Sequence, residues 1–220
     1  MPEGKTVLIK VGGSLLSLKD LCARLRRLIA ATEASNVFIV PGGGEITDFV
    51  RHWDRIHSLE TSVSHQLAID SLGLTARLLA SLLPDAGFAT SKPTAIRTSG
   101  VLILDVPAVL ADAESRGALP LPAGWHVTSD SIAAWIAVDW GVDEMILAKS
   151  VDAPASILAI PQDQDRDIAE GAVDPEFGRF IADLPPVFWC DLRGELTELV
   201  ALEKSPDGEM LVADSLPLQK

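Results

Sequence analysis

The chain predicts an α/β fold built around a mainly parallel sheet, and three observations carry that expectation. Short β-rich runs alternate with amphipathic helical segments, two of the runs end in clusters of glycine, and no repeat or low-complexity linker divides the 220 residues. With 48% apolar residues and a mean hydropathy of +0.27, such a chain can bury a sizeable core. The reading is therefore one domain over 1–220.

The first run, Val7, Leu8, Ile9 and Val11, stops at Gly12-Gly13 and reads as a buried strand entering a tight loop. Lys10 needs a reason to be there. Either it points out at the strand end toward an anion that the amides of Gly12, Gly13 and Ser14 also meet, or it snorkels beside an ordinary turn. This stretch alone leaves both open. Leu18–Ala34 then carries Leu21, Leu25, Leu28 and Ile29 at helical spacing, with Asp20 early and Arg24, Arg26 and Arg27 between. Val37 to Val40 is a second buried strand, so the unit implies a parallel pair with a right-handed crossover.

That strand ends at Gly42, Gly43 and Gly44, ahead of a helix over Glu45 to Trp53 with Ile46, Phe49 and Val50 at helical spacing. Glycine amides at a helix N-terminus bind phosphate through free N–H groups and the helix dipole. Both glycine loops fall at the carboxyl ends of strands, the edge where open α/β sheets bind ligands.

Ser58–Leu83 is again helical, with Gly73 as a candidate kink and His65 and Asp70 inside it. Pro84–Gly100 reads as loop and Val101–Val106 as a strand. VLADAESRG is a short helix, and LPLPAGW is kept from helix by proline. Ser129 or Asp130 is placed to cap the apolar helix SIAAWIAVDW, which would aim a carboxylate at the same sheet edge. Glu144–Ala153 is a strand ending in Lys149 and Asp152. The tail reads as a short strand over Ala155–Ala159, a helix opened by Pro175, the strand PVFWCDL, and a hairpin turning at Pro206–Glu209.

A net charge of −13 without any Lys/Arg cluster argues against nucleic acid and anionic membranes as partners, since both need a basic face. A nucleotide needs only a local positive site. Cys22 and Cys190 lie far apart and fit no metal spacing, so they read as free thiols in a reducing compartment. The N-terminus lacks the apolar core of a signal peptide, and no run approaches the roughly 18 apolar residues of a membrane span. The expectation is a soluble, cytoplasmic protein.

The succession KVGGSLL, VPGGGEITD, TSDSIAAWIA and ILAKSVDA resembles the amino acid kinase superfamily, over about residues 5 to 155, with four motifs in the right order. The resemblance implies a three-layer αβα sandwich with a mainly parallel central sheet, an acceptor-binding half of about 1–125 and a nucleotide-binding half of about 126–220. It implies ATP and Mg²⁺, the ion held mainly by the ATP phosphates. Lys10 would stabilise the transferred phosphoryl, with Gly12, Gly13 and Ser14 on the ATP phosphates. Asp130 would orient lysines, Ser129 would hydrogen-bond nearby, and Lys149 and Asp152 would serve the nucleotide half. Gly42, Gly43 and Gly44 would receive the acceptor. Relatives assemble, so a homo-oligomer is implied.

Two departures stand out. The segment EGAVDPEF has no lysine where acetylglutamate kinase-like members carry a late catalytic one, and Ala153 replaces a usual glycine. Lys149 is the candidate substitute for the missing charge. LPLPAGWHVTSDSIAAWIA and AKSVDA further resemble a small subgroup that includes the kinase of methanofuran biosynthesis. That implies a phosphorylated small-molecule acceptor bearing an ammonium and a furan ring, for which Asp48, Trp53, Asp54 and His65 are candidates. Each also has a plain reading: Trp53 as core, the acids as solvated helix residues. Other phosphate or carboxylate acceptors, and a non-catalytic anion-binding protein, are the alternatives.

Overall fold

Alternation along the central strands decides the layers. The first strand, β1 (Thr6–Val11), sends Leu8 to one face and Val7, Ile9 and Val11 to the other, and β2 (Asn36–Pro41) splits Phe38 and Val40 from Val37 and Ile39 in the same way. All of these side chains are buried, and strands buried on both faces need helices on both. The computed structural model describes residues 4–118, 121–154, 157, 172–195, 198–205 and 210–217.

On one face lie α5 (Val106–Ser115), α6 (Ser129–Trp140) and a 3-10 segment, Pro175–Phe180; on the other lies α1 (Leu21–Ala31). The long α3 (Thr61–Leu82) supplies Ile69 and Leu72 to the first core and Ala76 and Leu79 to the second. The remaining strands are β3 (Gly87–Ala89), β4 (Gly100–Leu104), β5 (Glu144–Lys149), β6 (Val187–Asp191), β7 (Glu198–Lys204) and β8 (Met210–Pro217). Among the described residues they form one sheet of order β3-β4-β2-β1-β5-β6-β7-β8. Every pairing up to β6 is parallel, and β7 and β8 add an antiparallel edge. The expected αβα sandwich is present. No helix among the described residues is long and apolar enough to cross a membrane.

Several local expectations are corrected. The stretch read as loop, Pro84–Gly100, contains the edge strand β3 and the one-turn α4 (Lys92–Ala95), capped by the Ser91 side chain; neither is long enough to show a period. The helix expected from Leu18 is preceded by a 3-10 turn, Gly13–Ser17, and starts at Leu21. The cap of α6 is Thr128, whose hydroxyl accepts from the Asp130 amide, rather than Ser129 or Asp130. Gly73 does not kink α3; a Cβ there would lie 3.0 Å from Pro107 Cγ, so its bareness lets α5 approach. The expected helix after Pro175 is the tighter 3-10 segment, and β5 stops at Lys149. The Pro206–Glu209 turn lies outside the described residues, as does the Ala155–Ala159 stretch apart from Ile157.

Candidate active site

Sheet order creates the site. From β1 the sheet runs outward through β2, β4 and β3, and β5 takes the other side of β1. The crevice outside the carboxyl ends of the strands at such a reversal is where doubly wound sheets bind ligands. Lys10 follows Leu8 by two residues on β1 and Lys149 follows Leu147 by two on β5, with Lys10 opposite Leu147 in the parallel register. Alternation therefore sends both ammonium groups to the face covered by α6.

Asp130, in the first turn of α6, meets them. Its Oδ1 lies 2.8 Å from Lys10 Nζ and 2.8 Å from Lys149 Nζ, which also donates to Oδ2 at 2.9 Å. Lys10 and Asp130 are almost fully buried. Burial works to raise the Asp130 carboxyl, but the two lysine charges and their hydrogen bonds outweigh it and hold the group below the usual carboxylate range. Lys149 has its pKa lowered too, to about 8, by burial and then by the Lys10 charge, against the support of Asp130. It also donates to the Ala172 carbonyl at 2.6 Å and lies 5.7 Å from the centre of the Trp189 ring. With both lysines charged, the three groups leave an uncompensated positive charge at the sheet edge.

A second buried carboxylate holds the wall beside them. Asp174 accepts from the Thr128 amide (3.0 Å) and hydroxyl (2.6 Å), from the Ser131 amide (3.0 Å) and hydroxyl, and from the Glu176 and Phe177 amides. Its Oδ1 caps the 3-10 segment and takes the Ser131 hydroxyl, and its Oδ2 holds Thr128 and the Ser131 amide at the start of α6.

The two glycine loops abut. A Cβ on Gly13 would lie 2.3 Å from the Gly44 nitrogen, and one on Gly42 would lie 2.6 Å from the Gly13 nitrogen. Gly44, at φ +56, opens α2 (Gly44–His57) in a conformation glycine adopts freely. Within these loops the Gly12 and Gly42 amides are already given to Ala148 O and Val11 O, each at 2.8 Å. Anion donors would therefore come from the first turns that follow each glycine pair, where helical N–H groups have no intrahelical partner.

Lys10, Lys149, Asp130, Ser129 and both loops line one cleft of about 960 Å³. Its other end is made by α2, α3 and the loop before α6. There Arg51 bonds Asp48 at 2.9 Å and lies 5.1 Å from the centre of the Trp125 ring, Trp125 Nε1 donates to Asp54 at 2.6 Å, and His65 Nδ1 lies 3.2 Å from Gly124 O.

Residues 5–153 match the model of the amino acid kinase family. The chain belongs to that family. A curated relative, [5-(aminomethyl)furan-3-yl]methyl phosphate kinase of Methanocaldococcus jannaschii, is 29% identical over 147 residues, which are 66% of this chain and 66% of that protein. The match thus spans just under two thirds of the relative's length. Among solved structures, uridylate kinase from Archaeoglobus fulgidus aligns with TM-score 0.50 at 22% identity, over 72% of this chain and 68% of that one. UMP kinase from Bacillus anthracis aligns with TM-score 0.58 at 13% identity, over 87% and 89%. These structural likenesses establish the amino acid kinase fold.

Most of the residues singled out in sequence converge on the cleft of this family member: Lys10, Gly12, Gly13, Ser14, Gly42, Gly43, Gly44, Asp48, Asp54, His65, Ser129, Asp130 and Lys149. Two do not. Trp53 is on the outward face of α2, half exposed and packed near Phe49 with ring centres 6.4 Å apart; it is neither core nor cleft wall. Asp152 follows the end of β5 and is exposed, outside the cleft lining. The donor set, with backbone N–H groups and two lysines at one edge, suits nucleotide phosphates. Among the described residues no group of three or more His, Cys, Asp or Glu is placed to hold a metal ion.

Sequence reasoning missed Arg51, Arg55, Trp125 and Asp174. Helical spacing offered a signal for the arginines: Asp48, Arg51 and Arg55 stand at i, i+3 and i+7 and share a face of α2 with Asp54. Asp174 carried the mark of a cap, an acid directly before proline at a helix start. Trp125 carried none.

Proposed function

We propose that this amino acid kinase family member transfers the γ-phosphoryl group of ATP to a phosphorylated small molecule. [5-(Aminomethyl)furan-3-yl]methyl phosphate is the acceptor we favour, with its diphosphate as product. The observation that carries the reading is the pair of lysines held by one carboxylate in the cleft that two abutting glycine loops also line. Phosphoryl transfer spreads negative charge over the moving group and needs positioned positive charge more than a covalent nucleophile. Here the bond between the β-bridging oxygen and γ-phosphorus breaks as one forms to an acceptor oxygen, leaving ADP. Lys10 is placed for the charge that develops, and Lys149 supplies the charge that the absent late lysine supplies in relatives.

The 126–220 half would hold the nucleotide, with Mg²⁺ carried on its phosphates, and the 1–125 half the acceptor. Arg51 and Arg55 in the cleft favour an anionic acceptor. Such an acceptor is already ionised near neutral pH, so the chemistry needs no general base. The protein is also proposed to be a cytoplasmic homo-oligomer. Ile46, Phe49, Trp53 and Ile56 on α2 and Val63, Leu67, Leu74, Leu78 and Leu82 on α3 leave an apolar surface open to a second copy.

The test is transfer from Mg-ATP to a panel: [5-(aminomethyl)furan-3-yl]methyl phosphate, UMP, isopentenyl phosphate and N-acetylglutamate. ADP release is followed by a coupled assay and the product by phosphorus NMR. A new diphosphate from the furan compound supports the reading. Nucleotide binding with no transfer to any acceptor would overturn it in favour of a binding protein.

A further inference from the structure

The acceptor end holds an aromatic side chain fixed far more firmly than a surface loop requires. Trp125 is only half-buried and lines the cleft, yet its indole N–H is pinned by the Asp54 carboxylate at 2.6 Å, a charge-assisted bond, and the Arg51 guanidinium lies over its ring. The residue before it is held as well, its carbonyl meeting His65 Nδ1 at 3.2 Å. Gly124 sits at φ +150, and a Cβ there would lie 2.4 Å from His126 Cε1, so the turn that presents Trp125 demands glycine. Asp54 is itself steadied, its other oxygen accepting from the Leu59 amide at 3.1 Å. Five residues along the same segment is Asp130, so this wall is joined to the lysine-bearing centre by a short piece of backbone.

We propose that Trp125 is the acceptor-reading wall of the cleft, that His65 accepts a hydrogen bond from the acceptor through Nε2, and that Asp54 is a positioning residue that acts through Trp125. This rests on the kinase reading above. The substrate class it names is a phosphate monoester of a small planar ring that carries a hydrogen-bond donor. The ring lies against the indole face that Arg51 leaves uncovered, while Arg55 offers charge to the phosphate. His65 takes the role by elimination of its other nitrogen: Nδ1 faces a carbonyl oxygen and so bears the proton, which leaves Nε2 as a lone-pair acceptor. Burial lowers the His65 pKa and favours the same neutral form. Asp54 therefore does not grip an ammonium directly, although its place in the cleft invites that assignment.

A double-mutant cycle separates the two roles for Asp54. With [5-(aminomethyl)furan-3-yl]methyl phosphate as acceptor, Trp125→Ala should raise the acceptor KM about tenfold or more and leave the KM for ATP within about twofold. In the wild-type background Asp54→Asn should raise the acceptor KM, whereas in the Trp125→Phe background, which has no indole N–H to hold, it should add nothing. His65→Leu should weaken the amine-bearing acceptor but not furan-3-ylmethyl phosphate, which lacks the donor. Thermal melts of each variant check that it folds. Additive effects of Asp54→Asn and Trp125→Phe, or an acceptor KM indifferent to Trp125→Ala, would overturn the assignment. If the wild-type enzyme turns over other phosphates but neither furan compound, the ring-reading role fails while the kinase reading survives; if it turns over none, both fail.

Discussion

Asp130 holds two ammonium groups on one carboxylate, and the two lysines are not equivalent. Lys149 donates to Asp130 Oδ2 and to the Ala172 carbonyl and also ion-pairs with Oδ1, whereas the contact of Lys10 is with Oδ1 alone. Lys10 is the freer charge. Lys10→Met should cut kcat by about 10²–10³-fold with a smaller change in nucleotide affinity, as measured by steady-state kinetics and calorimetric titration. Lys149→Met should also lower kcat; unchanged turnover would remove it as the substitute for the missing late lysine. Because the Lys149 pKa stands near 8, kcat should decline as pH rises through that value. Stability should move oppositely. The unfolded chain keeps this proton up to about 10.5 while the folded protein sheds it near 8, so within that window the unfolded state binds more protons and the group's contribution to stability rises with pH. Denaturant titrations at several pH values check the sign.

At the scale of elements, α2 shows how one helix serves two purposes. Thr47, Asp48, Arg51, Asp54 and Arg55 face the cleft, and Ile46, Phe49, Trp53 and Ile56 face out. An apolar residue in an amphipathic helix ordinarily marks the core side, which is why sequence alone placed Trp53 in the interior or at the substrate. The helix is apolar on the side away from the cleft, and periodicity reports a face without saying what covers it. The strands were more legible, because β1, β2 and β5 are buried on both sides and read as apolar runs interrupted internally by Lys10 alone. Asp174 was not legible as part of the site, since its partners Thr128 and Ser131 lie more than forty positions away and only the fold brings them near. Asp174→Ala would leave several buried donors without an acceptor, at about 1–3 kcal/mol each for groups that water cannot reach. A fall in Tm of about 5–10 °C is expected by calorimetry, with kcat reduced because the first turn of α6 carries Asp130.

Over the whole molecule, the parallel-sheet reversal beside β1 gathers residues from position 10 to position 174 into one cleft, an arrangement that motif order anticipated and local patterns could not. The outward face of α2 and α3 bears on assembly. Phe49→Glu combined with Trp53→Glu should shift the protein toward its 23.4 kDa monomer in sedimentation velocity, with the fold retained by circular dichroism. The abutting glycines have a different consequence. Gly13 and Gly44 meet main chain to main chain, with no side chain between them, so the gap between the two loops is set by the radii of backbone atoms. If one loop seats the donor phosphates and the other the acceptor, the span a phosphoryl group must cross is measured by a backbone ruler that only a side chain introduced at these glycines themselves would lengthen. Substrate preference can then drift through the Trp125 loop across a lineage while the transfer distance stays the same.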